Sequence, residues 1–260
     1  MDSNALLPAG LLVRGTEDEL AAGFPAVALM QPVAVTAEGI ACAPRAAPDL
    51  ARRGIAACRL PATRLTEPPG WPDPPSLTVG AWYLRSPAHI PPPPGYRELV
   101  QVPGEGFGAW PHPTTLMCLA AIETLEDGVA VDVGCGSGLL TQAWATLRGP
   151  VAALDLDPRA VNHATASLAR ANPRFPVTIA HAPLARVLPT ATAPTLLANV
   201  PPIAHTDILQ SLSDATRTIL VSGIRAAAAP PALAAYAAAG FTPAATDSRD
   251  GWGCWILRRS

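Results

Sequence analysis

The 260 residues allow one large domain or a catalytic domain with a smaller partner, and 49% apolar content is enough to bury a core. All 18 basic residues are arginines, scattered among 20 acidic ones for a net charge of −2, so no basic patch of the density that tracks a nucleic-acid backbone is present. No apolar run of about 18 uncharged residues has membrane flanks, and the start MDSNALLPAG lacks a basic n-region, so neither a membrane span nor a signal peptide is expected and the default location is cytoplasmic.

In chain order, residues 1–86 read as a small α/β domain. Strands are predicted at Leu6–Val13, Ala26–Val35, Gly39–Cys42 and Leu77–Leu84, with helical turns at Glu17–Ala22 and Asp49–Arg53 and a turn-rich break at Trp71–Pro75. Residues 87–95, with four prolines at Pro91–Pro94, form a stiff polyproline linker. A third part, 96–260, alternates regularly. Tyr96–Val102 reads as a strand and Thr114–Thr124 as a helix with Thr114 as its cap. Strands follow at Ala130–Val133, Val151–Leu156, Val177–Ala180, Thr195–Asn199, Thr218–Ser222 and Trp252–Arg258, with helices at Leu139–Leu147, Arg159–Ala171, Ile208–Leu212 and Ala229–Ala239. Continuous apolar strands separated by helices predict a Rossmann-like α/β domain. Its sheet is mostly parallel, covered on both faces, and ends in an antiparallel hairpin after Gly240-Phe241.

Chemistry concentrates in VAVDVGCGSGLLT, Val129–Thr141, and in the strand that ends at Asp155. A strand entering a glycine-rich turn and a helix, then a second strand closing on a carboxylate, is the pattern of a nucleotide-cofactor site. Gly134, Gly136 and Gly138 are spaced G-x-G-x-G rather than the G-x-G-x-x-G of a dinucleotide fingerprint. That spacing favours S-adenosyl-L-methionine, with Asp132 placed to help hold its amino-acid end and Asp155 its ribose hydroxyls. A dinucleotide site and a degenerate turn that binds neither are the competing readings. Cys135 fits inside the turn as a small residue, Leu156 follows Asp155, and Asp157 is either a helix cap or a cofactor contact. Asn199 ends a strand at the edge where open sheets bind ligands; there it can orient an acceptor amine, or satisfy its own turn. His112 can serve as a base, as a hydrogen bonder to substrate or loop, or as a helix-start residue. Thr115 lies at a helix start, and Phe107 and Trp110 can cover cofactor or substrate or pack their own loop. The scattered Cys42, Cys58, Cys118, Cys135 and Cys254 form no metal spacing, so they are expected as small buried residues and no metal is expected.

Over about residues 104–260 these segments resemble the class I S-adenosylmethionine-dependent methyltransferases, and within them the ribosomal protein L11 methyltransferase family. The matching pieces are Phe107-Gly108, His112-Pro113-Thr114-Thr115, Val131–Leu140, Leu154–Val161, Asn172, Ala198-Asn199-Val200, Val221-Ser222-Gly223-Ile224, Gly240-Phe241 and Trp252. The resemblance implies a protein N-methyltransferase, with Asp155 as the ribose ligand and the front domain recognising the protein substrate. Where the family has a small-residue loop before its histidine, this chain has Ala109-Trp110-Pro111, and Pro201-Pro202 follow Asn199-Val200. Trp110 is expected to narrow the acceptor entrance. A peptide or small-molecule natural product methylated at nitrogen or oxygen therefore stays open as the acceptor, as does a non-catalytic S-adenosylmethionine-binding protein. Neither a nucleic acid nor a membrane is an expected partner.

Overall fold

The computed structural model describes residues 11–13, 32–36, 39–42, 57–59, 76–102, 104, 106–108, 112–188 and 191–259. The chain divides into two compact units, Met1–Asp73 and Pro74–Ser260. In the first, β1 (Leu11–Val13), β2 (Pro32–Thr36), β3 (Gly39–Cys42) and β4 (Ala57–Arg59) form one antiparallel sheet in the order β2-β3-β1-β4. The strand β4 is an addition to the sequence reading. The helical turns expected at 17–22 and 49–53 and the break at 71–75 lie outside the described residues.

The second unit opens with β5 (Leu77–Val79), β6 (Trp82–Arg85) and β7 (Arg97–Val100). The single strand expected over 77–84 is a hairpin, because Gly80 adopts φ +55 and pairs Leu77 back onto Leu84. The proline run connects β6 to β7, which pair in parallel. It therefore lies inside the second unit, whose first residue precedes the expected linker. The cause is Trp82, fully buried in the main core with its indole N–H donating to the Leu119 carbonyl at 3.0 Å.

The larger sheet contains β8 (Ala130–Val133), β9 (Val151–Asp155), β10 (Val177–His181), β11 (Thr195–Asn199), β12 (Thr218–Arg225), β13 (Phe241–Arg249) and β14 (Trp252–Arg259). The order is β10-β9-β8-β11-β12-β14-β13, parallel through β12 and antiparallel at β14 and β13. Among the described residues, six α-helices accompany the strands: α1 (Pro113–Ile122), α2 (Leu139–Leu147), α3 (Pro158–Leu168), α4 (Leu184–Val187), α5 (Pro202–Gln210) and α6 (Pro230–Ala238). The short α4 is absent from the sequence reading. Helix α5 starts six residues before the expected Ile208, because Pro202 occupies the first turn, where a missing N–H costs nothing. The two prolines after Val200 thus begin a helix, Pro201 as its N-cap and Pro202 as its first residue. Among the described residues no helix is long and apolar enough to cross a membrane.

One face of the sheet packs against α1 and α2 around Leu119, Ile122, Leu139 and Trp144; the other carries Leu196, Ile208, Tyr236 and Phe241. From α2, Gln142 accepts from the Val100 N–H at 3.0 Å and donates to the Val100 carbonyl at 2.8 Å, so a side chain completes the end of β7 as a neighbouring strand would.

Candidate cofactor and acceptor site

Strand β8 is buried along its whole length and stops at the glycine turn. Gly136 and Gly138 have φ of 56 and 84, in the left-handed region where a side chain is strained. Gly138 is the N-cap of α2. A Cβ on Gly136 would lie 2.4 Å from the Phe107 carbonyl oxygen, so the loop before α1 lies directly on the turn. The Ser137 N–H donates to that carbonyl at 2.8 Å. From β9, Asp155 accepts the Gly136 N–H at 2.9 Å on one oxygen and the Asp157 N–H at 2.9 Å on the other. Each carboxylate oxygen retains a second lone pair. Next to it Leu156 is 65% exposed, the kind of apolar surface that a flat ring can cover.

Beneath the turn, Asp132 is buried and accepts from the Thr141 hydroxyl at 2.5 Å. Burial raises its pKa to about 7; the Thr141 hydrogen bond opposes the rise and the Asp155 charge adds to it. Cys135 packs against Ala153 and Ala164, and burial pushes its thiol pKa up, so it is an inert packing residue. Asp157 is the N-cap of α3, accepting from the Arg159 N–H at 2.9 Å and pairing with its guanidinium at 2.7 Å.

On the other side stands α1. Its N-cap is His112, with Nδ1 accepting from the Thr114 N–H at 3.4 Å; the expected cap Thr114 lies one residue inside the helix because Pro113 takes the first position. The His112 ring lies 5.4 Å from that of Phe107 and 4.9 Å from that of Trp252, and the Arg225 guanidinium sits 4.1 Å from the Trp252 ring centroid. Burial and then the Arg225 charge lower the His112 pKa below 6.5. The imidazole is therefore neutral at pH 7 and able to accept a proton. Ala109, Trp110 and Pro111 lie outside the described residues.

Asn199 ends β11 beside Ser222 of β12. The next residue, Val200, reaches under the glycine turn, where a Cβ on Gly134 would lie 2.6 Å from a Val200 methyl. Among the described residues, four buried side-chain oxygens lack a hydrogen-bond partner: Gln101 Oε1, Thr115 Oγ1, Ser137 Oγ and Asn199 Oδ1. Thr115 Oγ1 and Ser137 Oγ stand 3.4 and 3.5 Å from the point where a Gly108 Cβ would project. Unpaired buried oxygens are uncommon in folded proteins and call for a ligand or water. The structure thus brings Phe107, Thr115, Asp132, Gly134, Cys135, Gly136, Gly138, Asp155 and Leu156 around one turn. Asn199 and His112 stand at the adjoining C-terminal end of the strands and the start of α1.

Four contributors were missed in the sequence. Ser137 was open to inference, being a hydroxyl inside the glycine turn. Arg225 is brought in by its stacking on Trp252, and His205, bonded to Tyr236, by its contacts at 3.2 Å with the Val200 and Ser222 carbonyls.

A seven-stranded sheet of this order with one reversed strand, and a glycine turn at the end of its first strand, defines the class I methyltransferase fold. The family model described as "Ribosomal protein L11 methyltransferase (PrmA)" matches residues 91–260. A ribosomal protein L11 methyltransferase from Gloeobacter violaceus is 34% identical over 194 residues, covering 71% of this chain and 60% of the relative. One from Synechococcus elongatus is 45% identical over 96 residues, covering 35% of this chain and 32% of the relative. The matched parts of the chain thus span 60% and 32% of these two relatives, less than two thirds of either. The crystal structure of a ribosomal protein L11 methylase from Lactobacillus delbrueckii subsp. bulgaricus shares the fold, with a TM-score of 0.63 at 19% identity, over 71% of this chain and 99% of that one. This chain belongs to the ribosomal protein L11 methyltransferase family.

Proposed function

We propose that this protein is an S-adenosyl-L-methionine-dependent methyltransferase acting on protein amino groups, with ribosomal protein L11 as the acceptor that family membership favours. The observation that carries the reading is the set of unpartnered buried oxygens on Thr115, Ser137 and Asn199 beside the glycine turn. A zwitterionic nucleoside has a carboxylate that can accept from the Thr115 and Ser137 hydroxyls and an ammonium and hydroxyls that can donate to them, so these residues fit the cofactor, and Asn199 Oδ1 is left for the acceptor. When bound, the cofactor supplies an electrophilic methyl group on a sulfonium that leaves without protonation.

The chain's own residues then have separable duties. Asp155 offers its free lone pairs to the ribose hydroxyls, and Leu156 its exposed face to the adenine. Gly134, Cys135, Gly136 and Gly138 let the backbone approach closely. Phe107, Thr115 and Asp132 flank the amino-acid end. Asn199 Oδ1 accepts an N–H of the acceptor amine and fixes the direction of its lone pair. His112, neutral at pH 7, can take up the proton that the amine must lose only at Nδ1, the nitrogen that accepts from Thr114, so proton uptake would be coupled to release of the α1 cap. The front region, residues 1–86, where the family resemblance places protein recognition, is the candidate for holding the acceptor protein.

Incubating the full chain with isotopically labelled S-adenosylmethionine and purified ribosomal protein L11 tests this. Label on L11 amino groups, lost in Asn199→Ala with cofactor affinity retained, is the expected result. Cofactor binding with no label on L11 would move the acceptor to the peptide or small-molecule class.

A further inference from the structure

His163 lies on α3 and is buried, with 5% of the residue exposed. Three residues of the segment before α1 rest on that one ring. The Val102 carbonyl is 2.7 Å from Nε2, and the Gly106 N–H donates to Nδ1 at 2.8 Å. Between them Gly104 lies against the ring, so closely that a Cβ there would be 2.4 Å from Cγ and 2.5 Å from Cδ2. The next contacts of the same segment are with the glycine turn. A Cβ on Gly106 would stand 2.7 Å from the Gly136 carbonyl, and the Phe107 carbonyl accepts from Ser137.

We propose that His163 is a positioning residue that holds Gly104 and Gly106, and with them Phe107 and Gly108, down on the glycine turn, and so sets the shape of the cofactor cradle. The proposal rests on the cofactor reading above. Its geometry demands one protonation state. A carbonyl facing Nε2 needs a proton there, and an N–H facing Nδ1 needs a lone pair, so only the neutral Nε2–H ring satisfies both. The remaining neighbour, the Gln101 amide nitrogen 3.0 Å from Nε2, is a donor against a donor. That nitrogen also donates to the Ser137 carbonyl at 3.2 Å and to Ser167 Oγ at 2.9 Å, which fixes the amide's orientation, so the Nε2 proton goes to the Val102 carbonyl. Burial favours the same neutral form. One turn further along α3, Ser167 Oγ accepts from the Val102 N–H at 3.3 Å, a second anchor that keeps the segment near the helix while His163 fixes its far end.

The role is tested on the full-length protein by three readouts. Long-range proton–nitrogen NMR of the wild type reads the ring directly, and an unprotonated Nδ1 with a protonated Nε2 is expected. Amide exchange at Gly106 reads the bond itself and is expected to accelerate in His163→Ala. Calorimetry with adenosylhomocysteine reads the consequence. His163→Ala is expected to bind about tenfold more weakly, from the loss of two buried hydrogen bonds. His163→Asn is expected to recover part of that affinity, since its Oδ1 can accept from Gly106. If the wild type binds no adenosylhomocysteine, the cofactor reading fails, while the ring spectrum and the Gly106 amide still decide whether the anchor exists. If the wild type binds and His163→Ala binds equally well with an unchanged Gly106 amide, the proposal is overturned. A proton on Nδ1 would overturn it as well. Should the alanine variant fail to fold, the wild-type spectrum and His163→Asn carry the decision.

Discussion

The Tyr236 hydroxyl donates to Nδ1 of His205 at 2.9 Å, and the opposite nitrogen of His205 donates to the carbonyls of Val200 and Ser222, each at 3.2 Å. A tyrosine on α6 thereby reaches, through a histidine on α5, the backbone that follows Asn199. Both rings are buried, and burial lowers the His205 pKa and raises that of Tyr236, so the pair is neutral.

Tyr236→Phe is expected to leave His205 Nδ1 buried and without a donor. The cost is about 1–3 kcal/mol. Chemical denaturation should show a lowered midpoint with an unchanged slope. An unaltered midpoint would mean that the pair does not brace the end of β11.

At Gly136, alanine would have to adopt φ 56 and place its methyl 2.4 Å from the Phe107 carbonyl. Gly136→Ala is expected to destabilise the fold by more than about 1 kcal/mol and to weaken adenosylhomocysteine binding, because the loop must lift. Thermal denaturation and calorimetry check the two parts separately. A variant that keeps both would remove the close approach from the account.

Much of the second unit was open to sequence reading, and the exceptions have physical causes. The strands Ala130–Val133 and Thr195–Asn199 and the helix Leu139–Leu147 match their expected bounds, because each is an apolar run closed by a glycine or a strand-end polar residue. Strand β13 is nearly all exposed, so it carries no apolar alternation, and only the hairpin expectation covered it. The β5–β6 turn is marked by one glycine, too little to break a run of strand formers. At the candidate site the residue types were readable, whereas their free atoms were not. That Asp155 also caps the glycine turn, or that Arg225 lies over Trp252, depends on pairings across strands that no local pattern encodes.

Asp132 makes stability depend on pH. Its folded pKa of about 7 lies above the 3.8 of a free carboxyl, so the folded chain keeps a proton that the unfolded chain releases. This contribution is full below pH 3.8 and is lost as the pH rises toward about 7. Asp132→Asn should flatten the decline across that window. Parallel pH–stability curves for the two proteins would contradict the assigned burial cost.

His112 titrates below 6.5, from burial first and the Arg225 cation second. Arg225→Gln should raise the pKa toward 6.5 without reaching it, since burial remains. The measurement is an NMR titration of the imidazole Cε1 proton. A pKa unmoved by the substitution would separate Arg225 from the electrostatics of the acceptor side.

The claim on which the rest depends is that the glycine turn and Asp155 hold an adenosylmethionine-type cofactor. Calorimetric titration of the full chain with adenosylhomocysteine, alongside a nicotinamide dinucleotide, tests it most directly. One saturable site for adenosylhomocysteine and no heat from the dinucleotide is the predicted result. Binding should weaken by at least about tenfold in Asp155→Ala, which loses charge-assisted hydrogen bonds. Binding of the dinucleotide in place of adenosylhomocysteine, or an Asp155→Ala variant with unchanged affinity, would contradict it.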